Sequence, residues 1–175
     1  MATLENSFEM VRSKMVTARL EFIGQLATFS KDEITREPGE DEWSPLQLAN
    51  HLYITDGLAL EQMQIVQNEE NPLISDIGEE APRRTRASEL PVSLDAVLAG
   101  MAARREELYE YMAKLPIDAW ERPFRHPIWG QLKFYQLVNV LPAHDRTHAQ
   151  QLTNIKAKLS ESMTHTSNSL LNSSR

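Results

Sequence analysis

The residues in this chain best suited to chemistry are histidines. His144 and His148 stand four apart in a segment whose apolar residues recur at helical spacing. On a helix that separation puts two imidazoles on one face, one turn apart. Leu137, Leu141, Leu152 and Ile155 share the face, so both histidines occupy the core-facing stripe. His51, beside Leu48, Leu52 and Thr55 in an earlier helical segment, also points roughly inward. Two helices could thus bring three imidazoles to one spot. Imidazole is a borderline ligand that suits zinc, nickel or iron. Three protein ligands leave coordination positions open for water or substrate, whereas structural zinc sites are closed by a fourth. The open set points to chemistry.

Plainer readings stand beside it. A pair at spacing four can arise by chance in a chain with five histidines, and can simply hydrogen-bond within a core. The run His144-Asp145-Arg146-Thr147-His148 also resembles the H-E-x-x-H helix of zinc proteases. There Asp145 would replace the glutamate base, with less reach. Glu161 and His165 are poorly placed as a third ligand of that kind. Asp145 lies about 100° around the helix from His144. It is therefore read as an orienting or surface-pairing residue and not a ligand. His126, between prolines, reads as turn packing, and His165 as irrelevant to the site. Arg83, Arg84 and Arg86 form a basic cluster that is either solvated or an attractor of an anionic substrate or thiol. Trp43, Trp120 and Trp129 read as core or staple residues.

Composition narrows the classes. The chain has 175 residues, enough for one ordinary domain. Eighteen basic against 25 acidic side chains give a formal net charge of -7, which disfavours backbone-driven nucleic-acid binding. With no cysteine, disulfides, thiolate nucleophiles and cysteine ligands are excluded together. Any thiol in the chemistry must come from outside. No basic n-region opens the chain and no apolar run approaches the roughly 18 residues of a membrane span. The expectation is a soluble cytoplasmic protein with no membrane partner.

The elements that must position the histidines follow from periodicity. Phe8, Val11, Met15, Ala18, Phe22 and Leu26 mark one stripe of a helix over residues 4–30. Ser44, Pro45 and Gln47 form a capped helix start, with Trp43 placed to staple onto Leu48, and the helix should run to about residue 69. Residues 71–92, with three prolines, read as a long connection between helices two and three. Ser93 caps the third helix, with Val92 and Val97 as a second staple, and Pro116 ends it. A fourth helix spans about 132–159. Pro142 inside it should bend or break it, at about 3 kcal/mol in an isolated helix. Residues 160–175, rich in Ser, Thr and Asn, read as a disordered tail. Four long amphipathic helices without strand-like alternation predict an all-α four-helix bundle over residues 1–159.

Three motifs in order carry a family resemblance. Asp41-Glu42-Trp43-Ser44-Pro45-Leu46-Gln47-Leu48-Ala49-Asn50-His51-Leu52 resembles the second-helix entry of the DinB-like superfamily. His126-Pro127-Ile128-Trp129-Gly130-Gln131-Leu132 resembles its turn into helix four, and His144 through Leu152 its closing histidine motif. The resemblance covers about residues 5–158. The chain departs from the pattern in its weak cap at Lys133 and in Pro142. The resemblance implies an up-up-down-down bundle with a long crossover, and a divalent metal at His51, His144 and His148. It implies frequent homodimers, and small-molecule enzymes that are thiol-dependent S-transferases and isomerases, or metal-dependent hydrolases. A low-molecular-weight thiol approaches the metal in some of them. A non-catalytic stress-related metal-binding protein and a metal-free dimeric bundle are the alternatives.

Overall fold

The computed structural model describes the backbone of residues 4–172 and the side chains of residues 7–166. Its long helices are α1 (Leu4–Leu26), α2 (Pro45–Asn68), α4 (Leu94–Ala113) and α5 (Phe134–Asn172). A shorter helix, α3 (Ile77–Ala87), lies between α2 and α4. Helix α1 packs along α5, and α2 packs against α3, α4 and α5. No helix among the described residues is long and apolar enough to cross a membrane.

Local chemistry sets the boundaries. At the start of α2, Ser44 Oγ accepts from the Gln47 amide at 3.2 Å, and Gln47 Oε1 accepts from the Ser44 amide at 2.7 Å. This capping box satisfies two orphan donors and fixes the register that carries His51. Ser93 caps α4 by accepting from the Ala96 amide at 3.1 Å. The expected Val92 staple does not form, because Val92 is 99% exposed. Helix α5 starts where Gln136 Oε1 accepts from the Lys133 amide at 2.9 Å, a partial cap at the boundary that looked weak. The helix continues through Pro142 as one element. The bond Pro142 cannot make is offset by packing, since Val138 and Leu141 are buried in the turn that leads into it.

Four expectations need correction. The connection at 71–92 holds α3, whose Asp76 N-cap accepts from the Gly78 amide at 3.0 Å. Only Ile77, Ala81 and Thr85 of α3 are buried, a stripe too narrow to stand out around Pro82. Strands are also present: β1 (Pro123–His126) pairs antiparallel with β2 (Gly130–Lys133), closing with His126 opposite Gly130. Gly130 takes φ +72°, the left-handed residue that such a three-residue loop requires. Trp129 is 59% exposed, so it is not a core residue, whereas Trp120 is buried. Finally, α5 extends to Asn172, through much of the segment expected to be a disordered tail. Leu159 is its last buried residue among those described, and residues 160–166 are exposed.

The core has two apolar halves. One gathers Met15, Ala59, Met63, Leu108, Met112 and Leu141. The other gathers Phe22, Leu48, Leu52, Met101, Leu152 and Ile155. Between them, each long helix contributes one charged residue at a core position: Arg19, Asp56, Arg105 and Asp145, none more than 7% exposed.

Candidate metal centre

His51 lies on α2 seven residues after its cap, and His144 and His148 lie one turn apart on α5. The fold brings all three together, with one ligand atom from each within 4.8 Å of the others. His51 Nε2 is 3.1 Å from His144 Nε2, and His148 Nε2 is 3.0 Å from the same atom. His51 is buried, and the other two are partly exposed.

The outward-facing nitrogens decide the tautomers. Thr85 Oγ1 on α3 donates to the Ala81 carbonyl at 2.8 Å, so it accepts from His51 Nδ1 at 2.9 Å. Gln151 Oε1 accepts from His148 Nδ1 at 2.8 Å. Both protons therefore sit on Nδ1, and both Nε2 lone pairs face His144 Nε2. His144 carries at most one Nε2 proton when neutral, so it can satisfy only one of them. At least one lone pair is left facing another nitrogen at about 3 Å, unless a cation sits among them. Protonation is a poor remedy. Burial, with the neighbouring imidazoles second, pushes the pKa of His51 and of His144 down to about 3. Burial also lowers that of His148, against the hydrogen bond to Gln151. Neutral imidazoles with convergent lone pairs are what a borderline divalent ion requires. The second partners Thr85 and Gln151 are the type that orients metal-bound histidine. The residues fit the ion.

The charged layer lies beside the centre. Arg19 Nε donates to Asp145 Oδ2 at 2.9 Å, and Arg19 Nη2 to Asp56 Oδ2 at 2.9 Å. Arg105 grips Asp56 through two bonds, at 2.9 and 3.1 Å, and reaches Asp145 at 3.1 Å. Burial opposes the charge on Arg105, but the Asp56 and Asp145 carboxylates outweigh it and hold its pKa above the usual value. Two cations and two anions cancel, which a buried group of charges needs. Asp145 is thus neither a ligand nor a surface partner. Its carboxylate is bound to two arginines, which also removes the zinc-protease reading of this helix.

The other candidates separate. Arg83 pairs with Glu80, and Arg84 with Glu80 and Glu61. Arg86 instead lies 5.9 Å over the ring of Trp43, which itself sits 4.8 Å from the His51 ring. His126 is buried, stacks on Trp129 at 4.4 Å and accepts from the Ile128 and Trp129 amides, as turn packing would have it. His165 is exposed and apart from the cluster. A cavity of about 690 Å³ reaches His144 itself, with Ile77, Trp129, Tyr135 and Val140 in its wall. Another of about 460 Å³ is lined by Trp43, Arg86, Gln151, Asn154 and Lys158. Thr85 and the charged layer were missed in the sequence. The available signal was a charge at core register in each long helix, as in Met15-Arg19-Phe22 and Met101-Arg105-Leu108.

Comparison with known proteins identifies the family and the fold. The family model described as the DinB superfamily matches residues 14–152. The Bacillus subtilis protein YuaE is 26% identical over 155 residues, covering 81% of this chain and 94% of its own. A Bacillus cereus protein named "putative metal-dependent hydrolase" is 24% identical over 117 residues, 67% of this chain and 66% of the relative. Among solved structures, Bacillus subtilis YfiT superimposes with a TM-score of 0.69 at 12% identity, covering 91% of each chain. It is described as a "probable metal-dependent hydrolase with an unusual four-helix bundle topology". The four-helix bundle protein TT2238 gives a TM-score of 0.61 at 18% identity, covering 84% of this chain and 98% of its own. Identities this low establish the shared fold alone.

Proposed function

The chain belongs to the DinB superfamily, and from that premise we propose that it is a divalent-metal-dependent enzyme acting on a small molecule, a hydrolase in the first instance. The observation that carries the reading is the convergence of three neutral imidazoles whose Nε2 lone pairs cannot satisfy one another. The names of its relatives point the same way.

His51, His144 and His148 are the ligands in this reading, and zinc, nickel or iron is the ion. A bound ion would supply Lewis acidity there near neutral pH. The protein's own groups do the rest. Thr85 and Gln151 hold the two Nδ1 protons, so that Nε2 of His51 and of His148 remains a lone-pair donor. Trp43 covers one side of His51 and limits water there. The cavity that reaches His144 gives a small molecule access, and its wall is largely apolar. A homodimer completes the reading. What supports it is the apolar face of α1, where Val16, Leu20 and Ile23 are exposed together.

The test is turnover. Protein stripped by chelator and reloaded with zinc, nickel or iron is screened on small ester, amide and lactone substrates, with and without an external thiol. Metal-dependent hydrolysis that is lost in His148→Ala is the expected result. Turnover that requires the thiol would move the assignment to an S-transferase on the same centre. Hydrolysis retained by the stripped protein would contradict the metal reading.

A further inference from the structure

Of the three clustered arginines on α3, two are occupied by carboxylates and one is not. Arg83 and Arg84 converge on Glu80, at 2.6 and 2.8 Å, and Arg84 also reaches Glu61. Arg86 makes no ion pair among the described residues. Its guanidinium lies over Trp43 and lines the 460 Å³ cleft beside the triad. The residue before Arg86, Thr85, bonds to His51 directly. A guanidinium held against an aromatic face, with no acidic partner, in a chain of net charge -7, has its hydrogen-bonding capacity free for an oxyanion. The cleft is within the usual size of a small-molecule site.

We propose that this cleft is a substrate subsite in which Arg86 binds a single carboxylate on a small molecule whose reacting end lies at the histidine triad. The placement of the reacting end rests on the metal reading above. The other charges in the cleft narrow the ligand. Lys158 is already paired with Glu42, at 2.6 and 2.9 Å, so it adds no free cation. Asp41 lines the same cleft and repels spread negative charge. That favours one localised carboxylate over a polyphosphate. Asn154 and Gln151 add neutral polar groups along the wall, and Trp43 and Ile155 add apolar surface for the ligand's chain.

The test uses mercaptoalkanoates of increasing chain length, each against its own amide. Cobalt-loaded protein reports thiol coordination through its visible spectrum, independently of turnover. At one chain length the carboxylate should bind about tenfold or more tighter than the amide. Arg86→Gln should erase that preference while leaving amide binding and cobalt loading unchanged, and Arg86→Lys should keep part of it, since it retains the charge without the fork. Equal binding of acid and amide at every length, or a preference that survives in Arg86→Gln, overturns the subsite while the metal reading stands. If no cobalt is taken up, the metal reading fails, and the subsite is read separately by calorimetric titration of metal-free protein with the same probes. An Arg86-dependent preference for the carboxylates would then support it, and no preference would overturn it.

Discussion

Arg19 on the first helix donates through Nε to Asp145 on the last at 2.9 Å, one residue along the chain from His144. The pair belongs to a neutral group of four charges that also takes in Asp56 and Arg105. The layer joins four helices at one level of the bundle. Three of its charges are near enough to His144 to influence it, Asp56 favouring its protonation and both arginines opposing it.

Removing one member leaves a buried charge uncompensated. Asp145→Asn or Asp56→Asn should therefore lower stability by about 3–5 kcal/mol, the range for breaking a buried pair from one side. Equilibrium urea unfolding followed by circular dichroism measures it. The exposed Lys133–Glu121 pair serves as the contrast, since Glu121→Gln should cost less than about 1 kcal/mol.

Thr85 touches no proposed ion, yet it fixes the His51 tautomer. Thr85→Val keeps the shape and removes the acceptor. Metal affinity, read by competition with a chromophoric chelator, should fall about 10–100-fold while the fold persists. Thr85→Ser, which restores the hydroxyl, should recover most of it. Equal affinity in all three proteins would show that the hydroxyl does not orient the ring.

Metal-free protein should be acid-sensitive in a definite window. His51 and His144 are depressed to about 3 in the folded chain, against an ordinary value of 6.5. Between those values the unfolded chain binds more protons, so stability falls as pH drops from about 6.5 towards about 3, and is fully present above about 6.5. The urea midpoint of stripped protein should follow that course, and the dependence should weaken in the double variant His51→Gln, His144→Gln. An unchanged slope in that variant would mean that other groups carry the effect.

The cap of α2 separates stability from chemistry. Ser44→Ala loses the Gln47 amide's partner and should cost about 1 kcal/mol, or about 2–4 °C in Tm for a chain of this size. Metal stoichiometry should not change, because the rest of α2 still packs His51 in place through Leu48 and Leu52. Scanning calorimetry and elemental analysis of one preparation check both halves.

The bundle was legible because its signals are local and periodic. Met15, Phe22 and Leu26 mark one face of α1 by spacing alone, and Ser44-Pro45-Leu46-Gln47 announces the start of α2. The histidine triad was legible in part, since His144 and His148 share a face on any helix, whereas the approach of His51 depends on how two helices pack. What was hidden has little periodicity or none within reach. Helix α3 buries three side chains around a proline, and β1 buries only Phe124 and His126. The charged layer was missed, because a charge at a core position shows its meaning only when its partners on three other helices are known. For the same reason Arg86 could not be told from Arg83 and Arg84 until Glu80 and Glu61 were seen to occupy the other two.

The central claim is that His51, His144 and His148 hold one ion, and metal content by elemental analysis tests it most directly. Tag-free protein is measured as purified and after reloading under reducing conditions, beside His51→Ala, His144→Ala and His148→Ala. The account predicts about one zinc, nickel or iron per chain, lost in each variant even though the variants remain folded by circular dichroism. Stoichiometric metal retained in any one of the three would contradict the assignment, and so would a wild-type protein that binds none after reloading.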